Sequence, residues 1–296
     1  MNKKISIYAL ATLALMACSS SDGDEQSGAP QTKRPLTVVV NETPFVDENG
    51  NALAPLRQGT RGGTVITTET LGIFYMNYNG NKYTVEKGND GWAVKPFDWP
   101  SVDDNEKISF YAYNAGTFYQ DQDDNYITYE VSENASSQTD LLVAKHENIS
   151  WNDAGGQVSL TFDHACAAVD FNVLITNKLS TELGTYLTVN EIKLTHVVKK
   201  GEYHYSTNSW NFGNTLEDYT DYTLTNGDIS VSTTLQSLSC GTLFLLPQTL
   251  GEGAAFSIEY TINGTKKTAT ISMDDETWEA GKQYTINISL GTKTIQ

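Results

Sequence analysis

The side chains best able to do chemistry in this chain are three cysteines and four histidines (His146, His164, His196 and His204), and their spacing decides which chemistry is open to them. His164 lies two residues from Cys166 and beside Asp163, a trio that invites a metal ion or an activated thiol. On a strand, however, residues 164 and 166 face one way and 163 the other. The neighbours Ala165, Ala167, Ala168 and Val169 make the stretch a packed strand, so His164 is read as structural. Asp121-Gln122-Asp123-Asp124-Asn125 resembles the opening of a calcium loop, but Tyr126 stands where an EF-hand needs Gly and Ser132 where it needs Glu. A solvated acidic turn is the better reading. There is no GxSxG, no phosphate loop, no zinc spacing and no pair of carboxylates arranged for acid–base work. No catalytic, cofactor-binding or metal-binding residue is assigned, and the chain is read as a non-enzyme. Trp92, Trp99, Trp151, Trp210 and Trp278, with Phe74-Tyr75 and Phe118-Tyr119, leave a carbohydrate-stacking platform as an alternative use of the aromatics.

The third cysteine has a different setting. Lys3 and Lys4 precede a short apolar run from Ile5 to Leu15, and Leu15-Met16-Ala17-Cys18 fits a lipobox. The run is about half the ~20 residues that a spanning helix needs, so residues 1–17 read as a cleaved lipoprotein signal peptide. Cys18 would then be diacylated and become the mature N-terminus, because two acyl chains anchor stably where one does not. Residues 18–35, with Ser19-Ser20-Ser21-Asp22-Gly23-Asp24-Glu25, form a flexible acidic tether. That cluster resembles the tag that sends Bacteroidales lipoproteins to the outer face of the outer membrane. Cys166 and Cys240 remain in apolar, strand-like surroundings, and whether they pair stays open.

The elements that position these residues follow from composition and period. The 296 residues carry 19 Lys+Arg against 36 Asp+Glu, a formal charge of −17. Such acidity excludes a phosphate-tracking surface, so no nucleic-acid partner is expected. No long helix is apparent. Ile192, Leu194 and His196 alternate with polar residues, as do Phe256, Ile258, Tyr260 and Ile262, and again Tyr284, Ile286, Ile288 and Leu290. Each set predicts a strand with one buried face. Asn49-Gly50, Asn79-Gly80, Asn226-Gly227 and Asn263-Gly264 supply tight turns. Short helices are predicted near Leu179–Leu183 and Thr234–Leu238. Asn152-Asp153-Ala154-Gly155-Gly156 marks a break, giving one antiparallel β-sandwich domain over residues 36–150 and another over 151–296. A single continuous sandwich is the other division.

Several short runs, in order, resemble the Bacteroidales fimbrillins, or type V pilins. They are Leu71-Gly72-Ile73-Phe74, Ile108-Ser109-Phe110-Tyr111-Ala112-Tyr113, Asp140-Leu141-Leu142-Val143-Ala144, and Phe162-Asp163-His164-Ala165-Cys166-Ala167-Ala168-Val169. Leu245-Leu246-Pro247-Gln248 and Trp278-Glu279-Ala280-Gly281-Lys282-Gln283-Tyr284 complete the set. Cys166 and Ala168 depart from the family's pattern. The resemblance implies an all-β chain of two tandem transthyretin-like antiparallel β-sandwich domains, acting in a surface filament or in cell adhesion. It implies a lipidated precursor on the cell outer membrane, cut by an Arg-specific protease after the first strand. Assembly into a fimbrium then follows by donor-strand exchange with other pilin subunits. Leu36–Val40 is the removable strand and Arg61 the cut site, with Arg57 second, because Gly62-Gly63 keep the loop open to a protease.

Arginine placement fits that maturation. The three arginines are Arg34, Arg57 and Arg61, and residues 62–296 hold 13 lysines and no arginine. A pocket built for a planar guanidinium does not accept lysine. The stretch after Leu290 has one apolar residue and is too short to donate a strand, so a tip adhesin is expected rather than a self-polymerising stalk. The alternative is a monomeric surface glycan-binding lipoprotein. The surface ligand itself, on host or bacterium, is not legible.

Overall fold

The structure is a computed structural model, which describes residues 34–54, 67–89, 91–95, 98–121, 124–183, 187–213, 218–225 and 227–291. In chain order the first strands are β1 (Thr37–Glu42), β2 (Ile73–Tyr78), β3 (Asn81–Gly88), β4 (Gly91–Lys95) and β5 (Ile108–Tyr113). They are followed by β6 (Thr117–Gln120), β7 (Asn125–Glu130), β8 (Leu142–Ile149) and β9 (Gln157–His164). The chain continues with β10 (Ala167–Ile175), β11 (Leu187–Val198), β12 (Lys200–His204), β13 (Ser209–Phe212) and β14 (Tyr219–Thr223). Last come β15 (Gln236–Ser237), β16 (Leu243–Leu245), β17 (Ala255–Ile262), β18 (Thr265–Ser272) and β19 (Gln283–Leu290). Two short helices interrupt them, α1 (Trp151–Ala154) and α2 (Asn177–Leu183).

Period-two sequence becomes half-buried strand. In β9, Val158, Leu160, Phe162 and His164 point inward while Gln157, Ser159, Thr161 and Asp163 are exposed. Asn79-Gly80 and Asn263-Gly264 take φ values of 45° and 76°, and of 48° and 77°, and close the β2–β3 and β17–β18 hairpins. These are the left-handed angles that a two-residue turn demands. The helix predicted near Leu179–Leu183 is α2. The one predicted near Thr234–Leu238 is instead strand β15, paired with Asn172 and Val173 of β10. A short helix without a capping box such as that of α1 gains little, and pairing with the β10 edge outcompetes it. His196 also departs from expectation. A bulge between Leu194 and Val197 gives it φ 58°, and its ring lies half-exposed against Tyr219 instead of following Ile192 and Leu194 inward.

One sheet runs in the order β1-β9-β8-β5-β2-β3-β4 and encloses the first core, with Leu36, Val38, Phe74, Met76, Val85, Val94, Phe110, Leu142, Leu160 and Phe162. Its two ends approach each other, joined by the Pro35–Asp98 bridge and by Trp99 N–H donating to Arg34 O at 2.6 Å. The second core lies among β10 with β15, β16 and β19, the sheet β14-β11-β17-β18, and the inner face of the sheet β13-β12-β7-β6. The described residues from Arg34 onward gather into one compact unit. The expected division at 150/151 falls between β8 and β9, which pair in the first sheet, and β12 of the second half pairs with β7 of the first.

Among the described strands every pairing is antiparallel except two. β1 runs parallel to β9 and β19 runs parallel to β10. Because β9 and β10 are consecutive, the first and last described strands dock onto neighbouring stretches of chain, β1 on residues 157–162 and β19 on residues 168–175. The FDHACAAV run, residues 162–169, joins the two seats.

Candidate functional site

The seat of β1 is the part of the molecule whose construction bears most directly on function. Leu36 and Val38 enter the first core and Val40 is half-buried, while Thr37, Val39 and Asn41 face solvent. Among the described residues the strand pairs with β9 alone, in register from Thr37 opposite Gln157 to Glu42 opposite Phe162. Its near end is fixed by Arg34, which ion-pairs with Asp104 at 2.5 Å and lies over the Trp151 ring. Thr37 N–H donates to Gly156 O at 2.9 Å. Gly156 has φ 83°, and a Cβ there would meet Pro35 O at 2.6 Å and the Trp151 ring at 2.5 Å, so only glycine lets the strand enter. α1 presents Trp151 through a capping box between Ser150 and Asp153, and hydrogen bonds from Lys107 and Ser150 hold the Asp153 carboxyl down at about 2.

The far end is built differently. Glu42 Oε2 accepts from Thr68 N–H at 2.6 Å, and Glu42 Oε1 lies 3.4 Å from His164 Nε2. The other ring nitrogen, His164 Nδ1, meets Asp140 Oδ2. A neutral imidazole has one N–H, so carboxylates at both nitrogens call for the doubly protonated ring. Burial, the largest single influence on His164, works against charge, but the Asp140 and Glu42 carboxylates together outweigh it and raise the pKa. Burial also lifts the Asp140 carboxyl, so both directions leave the pair holding its proton. Asp140 Oδ1 is buried without a hydrogen-bond partner. The Cys166 thiol is pushed far up, first by burial and then by the Asp140 charge.

Beyond Glu42 the segment leaves the first core and enters the second. Phe45, 5% exposed, stacks on the His164 ring with centroids 3.8 Å apart. Val46 N–H donates to Gly281 O at 3.0 Å and Gln283 N–H to Val46 O at 2.8 Å, which joins the segment to the start of β19. A cleft of about 300 Å³ opens beside this junction, lined by Thr43, Pro44, His164, Tyr203 and Gly281 among others. Asp47, held low by hydrogen bonds from Asn51, closes a turn at 47–51 around Asn49-Gly50.

Among the residues singled out by sequence, Cys18, Arg57 and Arg61 lie outside the described residues. Cys166 and Cys240 are both buried and unpaired, and burial pushes Cys240 up to about 12. In the 121–125 turn, Asp124 accepts from His204 at 2.6 Å and from Ser206 N–H; residues 122 and 123 lie outside the described residues. Among the described residues no group of three His, Cys, Asp or Glu is placed to hold a metal ion. Trp99 and Trp278 are buried, and Trp210 Nε1 donates to Ala165 O at 2.8 Å from a half-buried position. Trp92 packs on Phe74 and Trp151 on Trp99, so these five rings form no common flat platform. Glu42, Phe45 and Asp140 escaped the sequence reading as a group. The one available signal was Asp140, a charge opening the otherwise apolar run 140–144.

A family model described as fimbrillin-like matches residues 60–296. The chain belongs to the fimbrillin-like family. The matched stretch begins after β1, which lies outside it. Among solved structures, a fimbrial protein from Bacteroides vulgatus is 18% identical, with 87% of this chain and 95% of that one covered at a TM-score of 0.52. A candidate cell adhesion protein from Bacteroides ovatus is 14% identical, with 90% and 95% covered and a TM-score of 0.51. Another from Bacteroides eggerthii is 17% identical, with 90% and 89% covered and a TM-score of 0.51. At these identities the likeness establishes the fold, the fimbrillin β-sandwich. No curated protein matches the chain.

The fimbrillin-family motifs explain themselves structurally. Gln248 of the LLPQ run accepts from Val198 N–H and donates to Val198 O, both at 3.0 Å, and so seals the end of β11. Tyr284 Oη accepts from Glu279 N–H at 3.0 Å and shapes the turn that receives Val46.

Proposed function

We propose that this fimbrillin-like chain is a fimbrial subunit or tip adhesin, a non-enzymatic adhesion protein at the cell surface. It is exported as a lipoprotein acylated at Cys18 and held in the outer membrane until processed. Cleavage after Arg61, or after Arg57, separates the segment bearing β1, and a strand from another pilin subunit takes its place. The tandem two-domain arrangement belongs to the same proposal.

One observation carries this reading. β1 is an edge strand paired in parallel to a strand more than a hundred residues away, and it lies outside the stretch matched by the family model. A hairpin strand is tethered to its neighbour by a tight turn, whereas β1 does not pair with β2, the next described strand in the chain. Its loss would leave the β9 edge with unpaired N–H and C=O groups and an apolar slot where Leu36 and Val38 had been. One incoming strand satisfies both.

The test is the mature N-terminus of protein shed from cells, read by intact mass and N-terminal sequencing in wild type, Arg61→Ala, Arg57→Ala and Cys18→Ser. The expected mature chain starts at Gly62, shifts or fails to form in Arg61→Ala, and the precursor loses membrane retention in Cys18→Ser. Filaments of uncut subunits would overturn the exchange mechanism. Membrane retention of a leader-free Cys18→Ser chain would overturn the lipid anchor.

A further inference from the structure

The seat of β1 reads more than hydrophobicity. Along the strand the inward positions run Leu36, Val38, Val40, then Glu42, and three residues later Phe45. The first positions ask only for apolar side chains on one face, which many strands offer. The far end is particular. His164 is 5% exposed, meets Asp140 through Nδ1, and turns Nε2 toward the Glu42 carboxylate. Its ring face is covered by the Phe45 ring at 3.8 Å. Each N–H of the buried imidazolium faces a carboxylate, Nδ1 that of Asp140 and Nε2 that of Glu42; without Glu42 the buried Nε2–H has no acceptor, a costly state. A ring on its face also excludes water from the pair.

We infer that His164 and its surroundings form a specificity site for the strand occupying the β1 seat. The site takes an extended segment with apolar residues at alternate positions, a carboxylate six residues after the first of them and an aromatic ring three residues further on. Its occupant after exchange is an extended segment of that pattern carried by a partner subunit, since the chain's own Leu36–Phe45, already seated there, is such a segment. Replacement of that segment rests on the exchange reading above; the selectivity of the seat does not. A purely apolar donor would fill the slot up to position 40 and leave His164 Nε2 and its ring face without partners.

The groups around His164 are Glu42 from β1, Asp140 ahead of β8 with Cys166 beyond it, and, lining the same cleft, Asp163 of β9 and Tyr203 of β12. Burial raises both Tyr203 and Cys166, so neither changes charge between pH 6 and 8. Selection for the carboxylate is therefore strongest where the ring is charged, toward pH 6, and weakens as pH rises.

The test uses the exported chain with Cys18→Ser, cut by an Arg-specific protease, and labelled synthetic peptides spanning residues 34–54. Retention of the wild-type peptide is compared with Glu42→Gln, Glu42→Lys and Phe45→Ala peptides, with the exposed Val39→Thr change as control. Glu42→Gln and Phe45→Ala are each expected to weaken binding on the order of tenfold or more, Glu42→Lys further, and Val39→Thr little. The Glu42→Gln peptide should also lose the pH dependence that the wild-type peptide has between pH 6 and 8. Equal binding of the Glu42→Gln, Glu42→Lys and wild-type peptides would overturn the inference. If the chain is not cut, or the wild-type peptide does not rebind, the exchange reading fails instead. In that event the seat is tested in the uncut chain by hydrogen exchange at Thr43 and Val46. Faster exchange on the order of tenfold in Glu42→Gln and Phe45→Ala supports the site, and unchanged exchange in both overturns it.

Discussion

The first and last strands of this fimbrillin-like chain make the same kind of contact and are held in different ways. β1 lies parallel on β9 and β19 lies parallel on β10, each in an unbroken register. β19 spans eight pairs, from Gln283 opposite Ala168 to Leu290 opposite Ile175, and buries Ile288 and Leu290 in the larger core. Its polar contacts are supplements, such as Asn172 to Asn287 at 3.0 Å and Gln283 to Asp170 at 2.7 Å. β1 spans six pairs, buries Val38 with Leu36 just ahead of it, has charge contacts at its ends, Arg34 to Asp104 before it and Glu42 to His164 after it, and leads into the buried Phe45. A strand held by continuous apolar area is lost only when the core is lost. On the proposed exchange, a competing strand would recover the apolar contacts and polar latches of β1 one by one.

The comparison breaks most visibly at the buried charges. Asp140→Asn keeps the shape but leaves His164 with a single carboxylate, and is expected to cost about 3–5 kcal/mol in urea unfolding, the usual cost of breaking a buried pair. Leu290→Ala in β19, at 0% exposure, is expected to cost about 2–5 kcal/mol. That loss should appear as global unfolding. Val38→Ala in β1 removes two methyl groups, about 0.8 kcal/mol each by transfer with a cavity contribution added. Hydrogen exchange should find the Val38→Ala loss concentrated in residues 37–42.

A smaller effect comes from pH. His164 and Asp140 both hold protons more tightly in the folded chain than outside it. Their contribution is therefore fully present below the unfolded values and is lost as pH rises through the folded ones. Since unfolded histidine titrates near about 6.5, the urea midpoint of the wild type should fall between pH 6 and 8. Asp140→Asn should flatten that slope. Above that window the buried thiols add a decline of the same sign, so the comparison belongs below it. The smallest expected effect is Arg34→Ala, about 0–1 kcal/mol, because Asp104 is nearly half exposed. A null result there with a large one at His164 would place the control of β1 at its far end.

What the sequence makes legible is local. Alternation locates β11, β17 and β19, and Asn-Gly pairs locate two hairpins. The run 162–169, expected as one packed strand, is packed as expected but bends at Ala165–Cys166, where β9 ends at His164 and β10 begins at Ala167. Parallel docking is invisible to such patterns, because β1 reaches β9 across more than a hundred residues and no turn residue announces it. The same holds for the candidate site. His164 looked like a satisfied structural histidine, and it is one, but its partners lie 24 residues away at Asp140 and across the chain at Glu42. Nothing in the spacing of 42, 140 and 164 links them; only the fold does. Thr234–Leu238 fails for the opposite reason, since a local helical signal yields to a neighbouring strand edge.

The central claim is that the first strand is separable and the last is not. Its most direct test follows the exported chain by native mass spectrometry after Arg-specific digestion, across a urea series below the global unfolding midpoint. One cut chain beginning at Gly62 is expected, uncleaved further because no arginine follows residue 61. The segment bearing β1 should dissociate from that chain while residues 62–296 remain folded with β19 in place. A segment that leaves only when the whole chain unfolds, or a protease of verified specificity that finds no site in 57–61, would contradict it.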